Sequence, residues 1–456
     1  MRVVQEPGRK GQQLTHHEAL SPILKLEEFL KTETKTNLTG NPPRKRTGGI
    51  VITIATLLAF SYGLQMYAVV PAYSLMTDEF ALSYSQVGLM VSLWFLGYAL
   101  AHVPAGFAAA AWGLKRVAVW GGLITAISSG LIAISGSYGL ILTSRFIGGV
   151  GMSMVVAAIF PLGNYWSKPE NGKLVAGILN GLGLTAGSAI GLYVWTFLIQ
   201  AMSWRASLWI ATGIGIVIAL AAAALIEIPD HMDELEGNEF SWTNTVKVLK
   251  SKTMWGIGIV SVAAYGAFFT ASQLAPGFAE TEHGFSATNA SLLGLVMLLI
   301  GIPGSILGGI FADRAKRFLS TLWIPAAVIV ALLALIPFVN SVMLWVIMSL
   351  IGVFGMMYLS PASVSPSEYP EDVPSQDFAT ALGLVLTLGN MGAVIFPYVY
   401  TLGTQMGSSS VGWWLIAGLS ALSLLGIFMA KESRVPQAQE SAELAHAEPG
   451  AQQVSA

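Results

Sequence analysis

Between Val51 and Leu225 only nine residues carry a charge: Asp78, Glu79, Lys115, Arg116, Arg145, Lys168, Glu170, Lys173 and Arg205. A soluble fold of that size must solvate its surface, and nine charges cannot cover it. Lipid makes no such demand, provided every backbone polar group is bonded within the chain. The rest of the chain follows suit. Of its 456 residues 54% are hydrophobic and 11% charged, against roughly a quarter charged in soluble domains.

Apolar runs near the roughly 20 residues a helix needs to cross a bilayer fall at Gly49–Val70, Ser85–Phe107, Val117–Ser135, Gly139–Pro161, Leu174–Ile199 and Ala206–Ile228. Six more follow at Met254–Pro276, Ala287–Ala312, Leu319–Val339, Val342–Pro361, Phe378–Thr401 and Val411–Ala430. Strands cannot be closed from such runs, so an all-α membrane protein of twelve helices is expected. The domains then read as a cytosolic disordered tail at 1–47, a six-helix bundle at 48–228, an acidic cytosolic linker at 229–252, a second six-helix bundle at 253–431 and a second disordered tail at 432–456. Lysine and arginine set the orientation. Arg44, Lys45, Arg46, Lys115, Arg116, Lys168, Lys173, Lys247, Lys250, Lys252, Arg314, Lys316, Arg317, Lys431 and Arg434 share one side, and Arg205 is the cation on the other. Both termini are therefore expected in the cytoplasm, in the inner (cell) membrane of a bacterium.

The two halves repeat. Gly106-Phe-Ala-Ala-Ala110-Ala111-Trp-Gly113-Leu-Lys115-Arg116 lies between the second and third runs. At an offset of 203, Gly309-Ile-Phe-Ala-Asp313-Arg314-Ala-Lys316-Arg317 lies between the eighth and ninth. In each, a glycine is expected to end one helix and a cationic pair to open the next. Ile147–Val150 matches Leu350–Val353 at the same offset, and the loops Tyr165–Lys173 and Tyr369–Asp377 occupy matching places. Paired membrane hairpins at a fixed offset mark a transporter built by internal repetition.

The pattern Gly-x-x-x-Asp-Arg-x-Gly-x-Arg/Lys between the second and third helices of a half resembles the major facilitator superfamily. The second copy keeps Gly309, Asp313 and Arg314 and loses the later glycine to Lys316, with Arg317 directly after it. The first keeps Gly106, Gly113 and Lys115 but has Ala110 and Ala111 in place of the acid–base pair. The resemblance implies two pseudo-symmetric six-helix bundles, a substrate between them near mid-membrane, and alternating access by rocking. These loop residues would act as a conformational latch.

Arg145 is the one charge placed well inside a predicted helix. An intramembrane arginine costs about 2.5–3.5 kcal/mol to insert, so it faces a cavity or a partner. Its setting, Arg145-Phe-Ile-Gly148-Gly149-Val-Gly151, resembles the fourth-helix motif of the same superfamily, where the arginine is associated with substrate or proton coupling. The bland alternative is that Arg145 snorkels or ties helices together. His102, in the titration range of a proton relay, is the second coupling candidate; it can equally hydrogen-bond a neighbouring helix. Tyr62, Gln65 and Met66 share a face of the first helix, and Tyr265, Phe269 and Ser272 a face of the seventh. With Asn180, Tyr358 and Asn390 these supply the substrate-binding candidates: Arg145, Tyr62, Gln65, Asn180, Tyr265, Tyr358 and Asn390. Asn180 and Asn390 stand out because an unpaired amide in lipid is costly. Glu280, Glu282 and His283 are placed in an outside loop. The glycines Gly177, Gly181, Gly183, Gly187 and Gly191 form a stripe that lets backbones approach closely.

Absences narrow the function. Without cysteine there is no disulfide framework, thiolate nucleophile or zinc–thiolate site. No phosphate-binding Gly-x-x-x-x-Gly-Lys-Ser/Thr loop exists, which disfavours an ATP-driven pump. No cofactor or metal is implied, no basic patch suggests nucleic acid, and the chain is not read as an enzyme. No acid lies inside the first, fourth, fifth, seventh or tenth predicted helix, and Gly183–Gly191 lacks the Gly-Pro that drug exporters of the superfamily carry there. Members carrying nitrate use arginines in the second and eighth helices, which are absent here. One cation among polar and aromatic residues points to a monomeric secondary carrier of a small organic anion, a carboxylate, by proton symport or by anion exchange. The rivals are a proton-coupled exporter of amphipathic compounds and an uptake carrier of neutral solutes. A non-transporting membrane sensor is a further, weaker rival.

Overall fold

The computed structural model describes residues 45–167, 172–228, 246, 248–373 and 378–433. The terminal tails, most of the acidic linker and parts of the loops Tyr165–Lys173 and Tyr369–Asp377 lie outside them. Every described element is helical. Among the described residues twelve helices are long and apolar enough to cross a membrane: Thr47–Phe80, Tyr84–Ala109, Leu114–Ala133, Tyr138–Trp166, Val175–Ala201, Trp204–Leu225, Lys252–His283, Ala287–Ala312, Ser320–Phe338, Ser341–Glu368, Thr380–Met406 and Ser409–Met429. An even number of spans returns the chain to the side on which the first begins. Residues from Gly49 onward form one compact unit.

Three boundaries differ from the sequence reading. The first span does not stop at Val70. Its α-helix ends at Tyr67, passes through a 3-10 turn at Val70–Ala72, where Pro71 fits the first turn, and resumes at Tyr73–Phe80. The seventh helix runs on to His283, so Glu280, Glu282 and His283 belong to its last turn rather than to a loop. Ser409 donates to Glu282, and Ser341 lies 3.4 Å from Nδ1 of His283, tying that turn to the twelfth and tenth helices. Finally, Gly106 and Gly309 sit inside the helices Tyr84–Trp112 and Ala287–Arg314 instead of ending them. What ends the second helix is Gly113, whose φ of +84° other residues rarely adopt. The eighth helix ends at Ala315 with ordinary extended backbone and needs no glycine. Lys115 and Arg116 do open the third helix, but Lys316 and Arg317 precede Ser320, where the ninth begins.

The fifth helix is interrupted. Between its α-helical parts Gly172–Gly177 and Ala186–Ala201, residues Ile178–Thr185 form a π-helix, and the side-chain hydroxyl of Thr185 donates to the carbonyl of Asn180, 3.0 Å away. Gly181 and Gly183 offer no side chain to hold a tighter turn. Further along, Gly187 and Gly191 face the backbone of Phe60 and Leu64 on the first helix, and Gly183 faces Ala59 and Thr56, as the stripe requires. Gly177 and Gly181 face open space.

The repeat is visible in the packing. The second helix packs on the fourth, and the eighth on the tenth. Gly149 lies against the carbonyl of Trp94 in the first pair, and Gly352 against that of Met297 in the second. Both members are shifted by the offset read from the hairpins, since 352 − 149 = 203 and 297 − 94 = 203. Second with eleventh and fifth with eighth are the most extensive contacts between the first six helices and the last six among the described residues. At the expected outer end, Arg205 grips Glu79 with both guanidinium nitrogens, Trp204 donates to the same carboxylate at 3.0 Å, and Arg205 also reaches the carbonyl of Ser135 at 3.1 Å. The first, third and sixth helices are thereby joined.

A Cβ at Gly149 or Gly352 would meet a neighbouring carbonyl, which cannot rotate away as a side chain can. Gly149→Ala and Gly352→Ala should each lower stability by about 1–3 kcal/mol, while Gly177→Ala should be neutral or slightly stabilising. Thermal unfolding in nanodiscs checks this. Equal midpoints for all three variants would show that close approach does not hold these helices together.

Candidate functional site

Arg145 is fully buried. Its Nε donates to the carbonyl of Met90 at 3.0 Å, Nη1 to that of Met66 at 3.2 Å, and Nη2 to Oε1 of Gln273 at 3.5 Å. Met66 lies in the last turn of the first helix, where carbonyls lose their partners within the helix, so the cation meets the negative end of that helix's dipole. The face of Trp94 lies 4.7 Å from Cζ. Charged hydrogen bonds at roughly 1.5–3 kcal/mol each and a cation–π contact of about 0.5–2 kcal/mol are together large enough to offset the cost of burial. All the acceptors are neutral, and no carboxylate is among them.

Gln273 links this cluster to the seventh helix. Arginine is a donor only, so the amide oxygen of Gln273 must face it. The same oxygen accepts from the hydroxyl of Tyr73 at 3.4 Å. Beside it, Tyr67 and Ser272 share a hydrogen bond of 2.6 Å. The first, second and fourth helices are thus fastened to the seventh by polar contacts at the expected outer end.

One to three turns along the seventh helix lie the aromatic residues. Phe269 packs on Phe95 at 4.6 Å and on Phe268 at 5.2 Å between ring centroids, with Tyr265 at 6.2 Å. Tyr358 is fully buried and shares a 2.7 Å hydrogen bond with Ser261 on the seventh helix. Tyr62 and Tyr265, both buried, are themselves related by the repeat offset, since 265 − 62 = 203. His102 packs edge-on against Tyr98 at 4.6 Å, and its Nδ1 lies 3.1 Å from Oγ of Ser153 on the fourth helix and 3.4 Å from the carbonyl of Tyr98.

Tyr62, Tyr265 and Tyr358 are all buried, with Tyr265 beside Phe269, while Arg145 lies in the polar cluster further along the seventh helix. Gln65 is turned elsewhere: its Nε2 donates to the carbonyl of Ala211 on the sixth helix at 2.6 Å. Asn180 is exposed within the π segment. Asn390 is buried, spends its Nδ2 on the carbonyl of Leu386 at 2.8 Å and leaves Oδ1 without a partner. Of the loop candidates, Gly106 faces open space, Lys115 is half-buried, Gly309 faces Ser360, and Arg314 and Arg317 are exposed. The side chain of Asp313 lies outside the described residues. Among the described residues no group of His, Asp or Glu is arranged to hold a metal ion. The residues missed from sequence are Gln273, Tyr67, Tyr73 and Trp94. For Gln273 a signal existed, an amide inside an apolar helix next to Ser272, but its partner lies 128 positions away on another helix.

Residues 55–397 match the sequence profile of the Major Facilitator Superfamily. The chain belongs to that superfamily. With its twelve spans it is an integral multi-pass membrane protein of a family of transporters. The cis,cis-muconate transport protein of Acinetobacter baylyi is 26% identical over 411 residues, covering 86% of this chain and 96% of that protein. The hexuronate transporter of Escherichia coli is 22% identical over 403 residues, 82% of this chain and 90% of its own length. A bacterial homologue of the human lysosomal transporter Spinster, solved in an inward-facing, occupied conformation, shares the fold. Its TM-score is 0.69 at 14% identity, over 86% of this chain and 97% of that one.

Because this superfamily member contains no cysteine, a single introduced thiol reports on access to the seam. Thr270 is fully buried on the seventh helix, and Thr270→Cys should resist an impermeant maleimide applied from the expected outer side. Adding Gln273→Leu removes one acceptor from the buried guanidinium and should raise labelling about tenfold. Unchanged labelling would show that the Arg145–Gln273 contact does not keep that side shut.

Proposed function

We propose that this protein is a secondary carrier of a small organic anion, a carboxylate, working by alternating access between two six-helix bundles. One observation carries the reading. Arg145 is a fully buried cation whose acceptors are all neutral, at the meeting of the first, second, fourth and seventh helices. Such a charge is held in a low-dielectric setting without a counter-ion, so an anion that reaches it gains more than it would in water. On the seventh helix, Nε2 of Gln273 and Oγ1 of Thr270 are buried without partners and favour a polar solute over an amphipathic one. The relatives named for muconate and hexuronate support the same class, since both compounds are carboxylates. The tyrosines Tyr62, Tyr265 and Tyr358 would supply walls of the site, and the Gly309–Arg317 loop would latch the cytosolic side.

Coupling follows from the same chemistry. With no acid within this cluster, the substrate's own carboxylate is the simplest proton carrier, and uptake should rise as outside pH falls. His102→Gln should then leave that pH dependence little changed. An exchanger would instead follow preloaded internal anion and ignore the pH gradient. Labelled-carboxylate uptake into proteoliposomes, with gradient and internal anion varied independently, separates the two. Arg145→Ala should reduce uptake at least about thirtyfold, as expected for removing one side of a buried charged contact. Arg145→Lys should retain the charge but lose the planar fork and recover only part of the activity. Full transport by the alanine variant, or a cationic dye moving against a proton gradient where no carboxylate moves, would overturn the anion reading.

A further inference from the structure

The first hairpin departs from the superfamily pattern, and its geometry points to a use of its own. Ala110 and Ala111 stand where the acid–base pair is expected, so the cations that follow have no acid in their own loop. Among the described residues no carboxylate pairs with Lys115 or Arg116. In the second copy Lys316 is already engaged within the protein.

Around these cations the surface is apolar and aromatic. Arg116, Trp120, Ile127 and Ile134 recur at spacings of four, seven and seven along the third helix, which places them on one face. That face is open: Trp120 is 57% exposed, Ile127 47% and Ile134 59%. Trp112, also 57% exposed, stands at the end of the second helix, and Gly113 turns the chain directly into Lys115 and Arg116. The stripe is therefore hydrocarbon-like along most of the span. Tryptophan follows where a bilayer changes from acyl chain to glycerol, and two unneutralised cations follow at the depth of the phosphates.

We propose that this face binds an anionic phospholipid of the leaflet into which the hairpin opens. The acyl chains would lie along Ile134, Ile127 and Trp120, with the phosphate held by Arg116 and Lys115 between Trp120 and Trp112. The phosphate supplies the counter-charge that Ala110 and Ala111 no longer provide. Charge complementarity and the order of apolar, aromatic and cationic residues along one face select a lipid over a soluble anion, which has no use for the stripe. This inference does not depend on which solute is transported.

The test is thermal unfolding of the full-length protein in detergent, titrated with phosphatidylglycerol, with phosphatidylcholine of the same acyl chains, and with sodium phosphate. A ligand that binds the folded state raises the midpoint with its concentration. Phosphatidylglycerol should do so at lower mole fraction than phosphatidylcholine, and phosphate alone should not. Lys115→Gln and Arg116→Gln should each shift half-saturation by phosphatidylglycerol about fivefold. Trp120→Ala should weaken both lipids, and Arg317→Gln should change neither. As a check that needs no variant, native mass spectrometry of wild-type protein released from mixed vesicles should find phosphatidylglycerol retained in excess. Equal response to the two lipids overturns the proposal. So does an unchanged Lys115→Gln/Arg116→Gln double variant, or a shift reproduced by phosphate alone. Phosphatidylglycerol that acts only after the acids of segment 229–239 are neutralised would assign the cations to that segment instead.

Discussion

The guanidinium of Arg145 is the point on which the described structure turns. A charge removed from water must find acceptors or neutralise, and arginine does not readily neutralise. The carbonyls of Met66 and Met90, the amide of Gln273 and the ring of Trp94 surround it, so four helices converge because one cation needs them. The break in the first helix at Tyr67 contributes directly, since it frees the Met66 carbonyl from its place in the helical ladder. Removing Arg145 would leave the helix-end carbonyl of Met66 short of a partner and the amide oxygen of Gln273 with the Tyr73 hydroxyl as its remaining donor. On the proposed function, structural tie and anion site, set as alternatives on sequence grounds, would describe one group at two stages of a cycle. The cation that fastens the helices is the cation an entering carboxylate would compete for.

Glycine does for the backbone what Arg145 does for charge. Lipid offers helices little hydrophobic reason to associate, so close approach and polar contacts carry the packing. Gly149 and Gly352 bring helix pairs together at equivalent points of the two halves, and Gly187 and Gly191 seat the fifth helix on the first. The same fifth helix is loosened by the π segment at Ile178–Thr185, while Gly177 and Gly181 face open space. A helix rigid at one end and irregular at the other suits an element that must pack and also shift.

Much of this was legible from the chain. Twelve spans, their order and the repeat offset of 203 followed from apolar length and from the two hairpins, and the structure shows the same offset in glycine contacts. Arg145 was identifiable because charge inside an apolar run is rare. The partner of Gln65 was not legible. A helical face can be read from periodicity, but which neighbour stands opposite it cannot, and for Gln65 that neighbour is the sixth helix. Helix ends were likewise hard to place: glycine inside a membrane helix is tolerated when neighbours satisfy it, so Gly106 and Gly309 resembled stops and were not.

By itself, then, the sequence determined the solvent, the element type, the number of crossings and the duplication. These depend on composition and on local hydrogen bonding, which lipid makes obligatory. Tertiary structure alone decided which carbonyls receive Arg145, that Gln273 and Ser272 meet the first half of the chain, and that Gln65 turns to the sixth helix. Each of these is a relation between residues distant in sequence, set by how helices rotate and cross when packed, and no local rule encodes that rotation.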